Sequence, residues 1–415
     1  MMVAPKLRFK ADDGSDFSGW EEKTLGELCA PLTYGMNAAA TKFDGENRYI
    51  RITDIDDETH ALLPNDIVSP SGELDDKYLV KKGDILLART GASTGKSFLY
   101  HPKDGKLFYA GFLIKAHVLP SSDDYFIYSQ TLTDRYWKWV KTASMRSGQP
   151  GINANEYASY SFAVPSLPEQ RKIADFLSAV DAVIAAQQAE VDAWEQRKKG
   201  VMQKLFSQEV RFRADDGSDF PDWEEKTLGE EGQFYGGLSG KGKDDFDCGN
   251  GRFVTYMNVY KNTFASRDAM GRVKVGDTEK QNKVRYGDIL FTQSSETVDE
   301  VGLSSVYLYN DEPYLNSFCM GYRFNNLDNV CPEFIGYCMR SNEIRKSIML
   351  MGQGISRINL GAKRLATVKY KIPSLPEQRK IADCLASMDE VIQKSKDELA
   401  KWQELKKGLL QQMFM

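Results

Sequence analysis

A chain of 415 residues with 41% hydrophobic side chains, 20 Tyr and 21 Phe is long enough for two or three folded domains. No run near 18 apolar residues occurs, and the start, MMVAPKLRFK, lacks the apolar stretch of a signal peptide, so a cytoplasmic protein with no membrane partner is expected. The net charge of −5 excludes a uniformly basic surface, and the six Cys (Cys29, Cys248, Cys319, Cys331, Cys338, Cys384) form no CxxC pair and have no nearby His, which predicts reduced thiols and no metal site.

The first element returns later in the chain. Residues Leu7 to Leu28, LRFKADDGSDFSGWEEKTLGEL, match Val210 to Glu231, VRFRADDGSDFPDWEEKTLGEE, at 17 of 22 positions. Residues 1–19 are assigned to an N-terminal segment. Residues 20–164 follow as a first globular domain of short β-type runs with Gly and Asp turns, such as Arg48 to Ile52. It contains Gly-Asp-Ile-Leu at Gly83 to Leu86 and Ile-Asn at Ile152 and Asn153.

Residues 165–206 form a long helix. Ser166 and Glu169 fit the S-x-x-E capping box, with Pro168 tolerated in the first turn. Apolar residues then step by four and three: Ile173, Leu177, Val180, Ile184, Val191, Trp194, Val201, Leu205. That is the period of a coiled-coil seam. A linker, 207–222, leads to a second domain, 223–372, with its own β-type run at Arg252 to Tyr256, Gly-Asp-Ile-Leu at Gly287 to Leu290, and Ile358-Asn359. The last element, 373–415, repeats the helix. Pro165 to Phe206 and Pro373 to Phe414 agree at 22 of 42 positions. Ser374 and Glu377 repeat the capping box, and Ile381, Leu385, Met388, Ile392, Leu399, Trp402, Leu409 and Met413 repeat the seam. Gln187 with Ser395, and Lys198 with Lys406, interrupt it at matching sites, where polar residues can fix register. The repeats stand about 205 residues apart, far beyond a solenoid period, so this is a duplicated domain pair. Two similar frames with divergent inserts suggest one fold with varied surface loops and one task performed on two targets.

The order variable domain, PSLPEQRKIADFL helix, variable domain, PSLPEQRKIADCL helix resembles the specificity subunit of Type I restriction–modification systems over essentially the whole chain. The runs YLVKKGDILLARTG from Tyr78, YGGLSGK from Tyr235 and GDILFTQSSET from Gly287 are similar to segments of its target-recognition domains. The resemblance implies a mixed α/β fold: two globular recognition domains of short strands and helices, separated by two long helices in an antiparallel coiled coil. It implies that each domain reads half of a split double-stranded DNA sequence. The coil would set the gap and dock two methyltransferase subunits, and restriction and motor subunits would join them. The N-terminal copy of a segment that elsewhere follows a helix fits a cyclic arrangement, lying where the chain would continue past the second helix.

Catalytic motifs are missing. Neither the [DNS]-P-P-[YFW] motif of amino-group methyltransferases nor a Gly-rich cofactor loop is present, so the chain is expected to bind no cofactor, with S-adenosylmethionine on the partner. The run from Gly91 to Ser97, GASTGKS, mimics a P-loop but has three residues between its glycines where four are needed. Asp54, Asp56, Asp57 and Glu58 read as a solvated acidic turn. His60, His101 and His117 have no Cys or Ser partner in a catalytic setting. The alternatives to a specificity subunit are a self-contained modification or restriction enzyme and a coiled-coil interaction protein without nucleic acid.

Charge is unevenly spread. Arg340, Arg345, Lys346, Arg357, Lys363, Arg364, Lys369 and Lys371 cluster before the second helix, and Arg135, Lys138, Lys141 and Arg146 before the first. Direct readout uses Arg on guanine and Asn or Gln on adenine. Candidate DNA contacts in the first domain are Tyr34, Asn37, Arg89, Thr90, Ser93, Thr94, Lys96, Arg146 and Gln149. In the second they are Tyr235, Ser239, Lys241, Lys243, Gln293, Ser294, Ser295, Gln353, Ser356 and Arg357. The seam from Ile173 to Leu205 corresponds to roughly 48 Å of helix. That matches roughly 14 base pairs between domain centres and an unread gap of about 5–8.

Overall fold

The computed structural model describes residues 5–146, 148–354 and 357–414. The chain divides into two units: residues up to Gln188 together with those from Asp397 onward, and Ala189–Lys396. The long helices are Leu167–Phe206 and Leu375–Phe414, and each contributes one half to each unit.

In the first unit Glu21–Thr24 pairs antiparallel with Ser161–Val164, closing the domain next to the start of the central helix. An antiparallel sheet follows the order Thr33–Tyr34, Leu113–His117, Asp84–Ala88, Ser97–Leu99. The run Asp84–Ala88 is buried on both faces, which explains its unbroken apolar character. Ile85 and Leu87 point into a core with Phe126, Tyr136 and Tyr157 from the helices, whereas Leu86 and Ala88 meet Ile50, Tyr109 and Leu113 on the other side.

The second unit repeats this plan. Glu224–Thr227 pairs with Lys369–Ile372, and the sheet order is Gly232–Gly236, Cys319–Phe324, Ile289–Thr292, Ser304–Val306. A three-stranded sheet of Met270–Val273, Phe246–Val254 and Tyr314–Leu315 flanks it. The shared Gly-Asp-Ile-Leu has a physical reason. Gly83 and Gly287 turn the chain at φ +89 and +83, where a Cβ is strained. Asp84 and Asp288 are buried and accept the Lys81 and Arg285 backbone N–H groups at 2.7 and 2.8 Å. The Ile-Asn pairs are not equivalent, however. The Ile152 N–H donates to the Arg89 carbonyl, and in the second unit Leu360 makes the matching bond to Gln293. Asn153 caps a helix from the position that Gly361 holds, so Ile358-Asn359 lies two residues earlier and is part of a strand instead.

The two sequence repeats recur together because they touch. Glu169, with a fully buried side chain, is gripped by Arg8 at 3.0 and 2.7 Å, and Glu377 by Arg211 at 3.1 and 2.8 Å. Lys172 pairs with Asp12, and Lys380 with Asp215. Gln170 accepts from the Asp123 N–H and donates to the Pro165 carbonyl, and Gln378 does the same with Cys331 and Pro373. This corrects the capping-box expectation. The carboxylates are taken by arginines, and the hydroxyls of Ser166 and Ser374 are buried without a hydrogen-bond partner among the described residues. In the first unit the N-terminal segment meets the end of the C-terminal helix: the Leu7 N–H donates to the Gln412 carbonyl, and Trp20 lies against Phe414. In the second, Trp223 lies against Phe206 in the same way.

Within each unit the two helices run antiparallel. Ile173 and Leu177 share a core with Leu410, Met413 and Phe414, and Leu205 and Phe206 share one with Ile381 and Leu385. The seam lysines are neutralised across the pair. Lys406 meets Asp181 at 2.6 Å and Lys198 meets Asp389 at 2.5 Å. Each Asp also accepts a tyrosine hydroxyl from its own recognition domain, Tyr125 on Asp181 and Tyr337 on Asp389. Burial, then the adjacent carboxylate, raises both tyrosines well above the usual range. Among the described residues no helix is long and apolar enough to cross a membrane.

Candidate nucleic-acid interface

At one end of the strands of the first sheet, separate loops meet. The Arg89 N–H donates to the Phe112 carbonyl at 3.0 Å. Its guanidinium lies 4.9 Å from the Tyr34 ring centre and donates to the Gly111 carbonyl at 3.3 Å. The Tyr34 hydroxyl accepts from the Ala154 N–H at 3.1 Å. Thr90 bridges to Gly151, and the Gly91 N–H donates to the Pro150 carbonyl at 3.0 Å, which brings Gln149 beside Gly91. Tyr34, Arg89, Thr90 and Gln149 thus converge, and exposed Asn37 continues the Tyr34 loop.

Other candidates in the first unit are occupied internally. Lys96 is 4% exposed: its ammonium donates to the Ile55 carbonyl at 2.7 Å and pairs with Asp57 at 2.5 Å. Thr94 is buried with its hydroxyl on the Gly91 carbonyl, and the Ser93 carbonyl accepts the Lys96 N–H within the same turn. The phosphate-loop look-alike is therefore a tight structural turn whose lysine faces inward. Arg146 pairs with Glu156 at 2.5 Å on the surface.

In the second unit Gln293 stands where Arg89 does. Its N–H donates to the Phe318 carbonyl at 2.9 Å, and its carbonyl accepts from Leu360 at 2.9 Å. Ser294 and Ser295 pair with Asn359 and Ile358, and the Ser295 hydroxyl is buried on the Thr297 carbonyl. Gln353 exchanges backbone bonds with Asn359, and Arg357 is exposed nearby. Ser356 lies outside the described residues. Gln293, Ser294, Gln353 and Arg357 are thus drawn into one neighbourhood.

The Tyr235 to Lys243 loop is largely committed elsewhere. The Tyr235 hydroxyl donates to Asp288 at 2.6 Å beneath Arg323, and burial raises its pKa. The Lys241 side chain is 5% exposed and pairs with Glu279 at 2.5 Å, holding that carboxyl down to about 2. Ser239 is bonded to Gln281, while Lys243 is exposed. Lys96, Lys241, Thr94 and Ser295 are thereby withdrawn from the candidate contacts, because their polar atoms are spent inside the fold.

The basic run before the second helix is not one patch. Arg340 is wrapped by four backbone carbonyls, from Ser304, Val259, Tyr260 and Asn262, and burial lowers its pKa to about 10. Arg345 and Arg364 also cap carbonyls, and Lys369 pairs with Glu225. Lys346, Arg357, Lys363 and Lys371 remain exposed. In the first unit Lys138 and Lys141 are exposed on the helix Asp134–Ala143, and Arg135 lies near Glu22.

Sequence reasoning missed Phe112 and Phe318. They are 63% and 54% exposed, and each lends its carbonyl to the residue at the centre of its loop cluster. Their signal, YAGFL against LNSFC, becomes visible only after the strands are aligned.

The family described as Type I restriction modification DNA specificity domain matches residues 18–193 and 221–401. The Type I restriction enzyme MjaVIII specificity subunit of Methanocaldococcus jannaschii is 24% identical over 347 residues, spanning 80% of this chain and 79% of its own. A putative MjaX specificity subunit from the same organism is 24% identical over 97% of this chain and 94% of its own. A crystal structure of a Type I restriction–modification S subunit from M. genitalium superposes with TM-score 0.55 at 18% identity, covering 100% of this chain and 99% of that one. A chain from a structure of complex assembly and conformational transition in the type I system gives TM-score 0.56 at 18% identity, covering 95% and 97%. These likenesses establish the fold.

Proposed function

The chain belongs to the Type I restriction–modification DNA specificity family, and from that premise we propose that each recognition domain reads one half of a bipartite DNA target while the paired helices set the gap. It is the DNA-recognition subunit and carries no catalysis of its own. The observation that carries the half-site reading is the loop cluster built the same way in both units and furnished differently. Arg89 stands at its centre in one and Gln293 in the other, on identical backbone bonds. Arg suits guanine and Gln suits adenine, so one scaffold with different side chains reads different sequences.

In this reading the partners are double-stranded DNA, two methyltransferase subunits and restriction or motor subunits, in the cytoplasm. S-adenosylmethionine belongs to the methyltransferase, which extrudes the target adenine. The purified chain supplied with S-adenosylmethionine is expected to methylate no DNA. With its methyltransferase it is expected to direct adenine methylation to a split sequence, mapped genome-wide. Methyl transfer by the chain alone, or a methylated motif with no unread gap, overturns the proposal.

A further inference from the structure

We propose that Phe112 and Phe318 are paired DNA wedges, one per recognition domain, each pressing its ring against the base stack of its half-site. This rests on the half-site reading above.

The two residues occupy one structural position. Each is third in a β-turn closed by a backbone bond, Leu113 N–H to the Ala110 carbonyl at 2.8 Å and Cys319 N–H to the Asn316 carbonyl at 3.0 Å. Each turn sits on a glycine with no room for a Cβ. One built on Gly35 would lie 2.2 Å from the Ala110 oxygen, and one on Gly237 would lie 2.1 Å from the Asn316 oxygen. Each turn is tied to the loop of the candidate reader, Arg89 or Gln293. The turn is therefore rigidly placed, and its ring is left in water.

A lone exposed Phe needs no explanation. Two at the same position do, because the residues around them have diverged. Ala110 and Gly111 correspond to Asn316 and Ser317, Arg89 corresponds to Gln293, and Gln149 has no counterpart glutamine in the same register. A side chain retained while its neighbours change suits a feature that both half-sites share, whatever their sequence. The base stack is such a feature: apolar side chains wedge between steps, and aromatic rings stack on any base.

The test uses the full chain assembled with its methyltransferase, on duplexes carrying the mapped target with 2-aminopurine at successive positions. The wild type should raise the fluorescence at one step in each half-site. Phe112→Ala should abolish the rise in its own half only and weaken binding roughly ten-fold, with the recognised sequence unchanged. Phe318→Ala should do the same in the other half, and Phe112→Trp should keep the signal. If wild type binds its split target selectively while both alanine variants retain full affinity and fluorescence, the wedge is wrong and the half-site reading stands. If the variants fail to assemble with the methyltransferase but bind DNA normally, these rings face a protein and the wedge is again wrong. If wild type shows no sequence-selective binding, the half-site reading itself falls.

Discussion

Arg89 and Lys96 share one loop and have opposite roles. Arg89 stacks on Tyr34 at the surface, whereas Lys96 is sealed against Ile55 and Asp57. Arg89→Ala should weaken DNA binding, with a base-specific loss of roughly 1–3 kcal/mol where the contact is bidentate, and Arg357→Ala should do so for the other half-site. Competition binding against single-base variants of the target measures both. Lys96→Met should instead cost about 1–3 kcal/mol of stability, read as a lower melting temperature, because the Ile55 carbonyl loses its donor. A pH effect belongs to His60, whose Nδ1 lies 2.8 Å from the Ser97 carbonyl. Burial lowers its pKa from 6.5. Below that value the unfolded chain takes a proton that the folded one resists, so stability is full above pH 6.5 and declines as pH falls toward the folded pKa. His60 has φ +57, which Asn tolerates, so His60→Asn should flatten the melting temperature against pH in this window.

At the scale of elements, the helices are held by polar locks as well as by a seam. Tyr337, Asp389 and Lys198 join a recognition domain to both helices, and Tyr125, Asp181 and Lys406 repeat the lock. Asp389→Ala should destabilise by about 1–3 kcal/mol, since it strands a lysine and a tyrosine hydroxyl. Lys198→Met with Asp389→Leu and Tyr337→Phe should recover most of the loss, because a well-packed apolar replacement removes the desolvation penalty together with the pair. Denaturant titration of the single and triple variants separates the two. Inserting four residues near Ala185 to Gln188, close to one helical turn, should lengthen the preferred gap and spare both half-sites. Methylome mapping reads this directly, and an active insertion mutant with the wild-type gap shows that the helices are not the ruler.

At the scale of the whole molecule, duplication provides modularity. Arg8 on Glu169 and Arg211 on Glu377 are the same joint built twice, outside the recognition loops. Replacing residues 223–372 with the matching domain of a relative should therefore change one half of the methylated sequence and leave the other intact. Sequencing the methylated sites tests it, and a change in both halves overturns independent reading.

The family, the duplicated plan and the long helices were legible from residues alone. Repeats and seam periodicity are local patterns, and PSLPEQRK recurs as a string. Buried Glu169 and Glu377 looked like helix caps because a capping box is also local, whereas their arginine partners lie more than 160 residues away in sequence. The Ile-Asn pairs misled for a related reason: matching letters can be two residues out of register, and only hydrogen-bonded strands set the alignment. That these candidates lie on loops was legible, but which of their side chains are exposed was not. Lysines in glycine-rich turns look alike on paper, and folding turned Lys96 and Lys241 inward to acidic partners while leaving Lys243 outside. Composition and spacing determined what kinds of groups each loop carries. Which of them reach the surface together depended on long-range strand pairing and on where each charge found its counter-charge, and only the tertiary structure decided that.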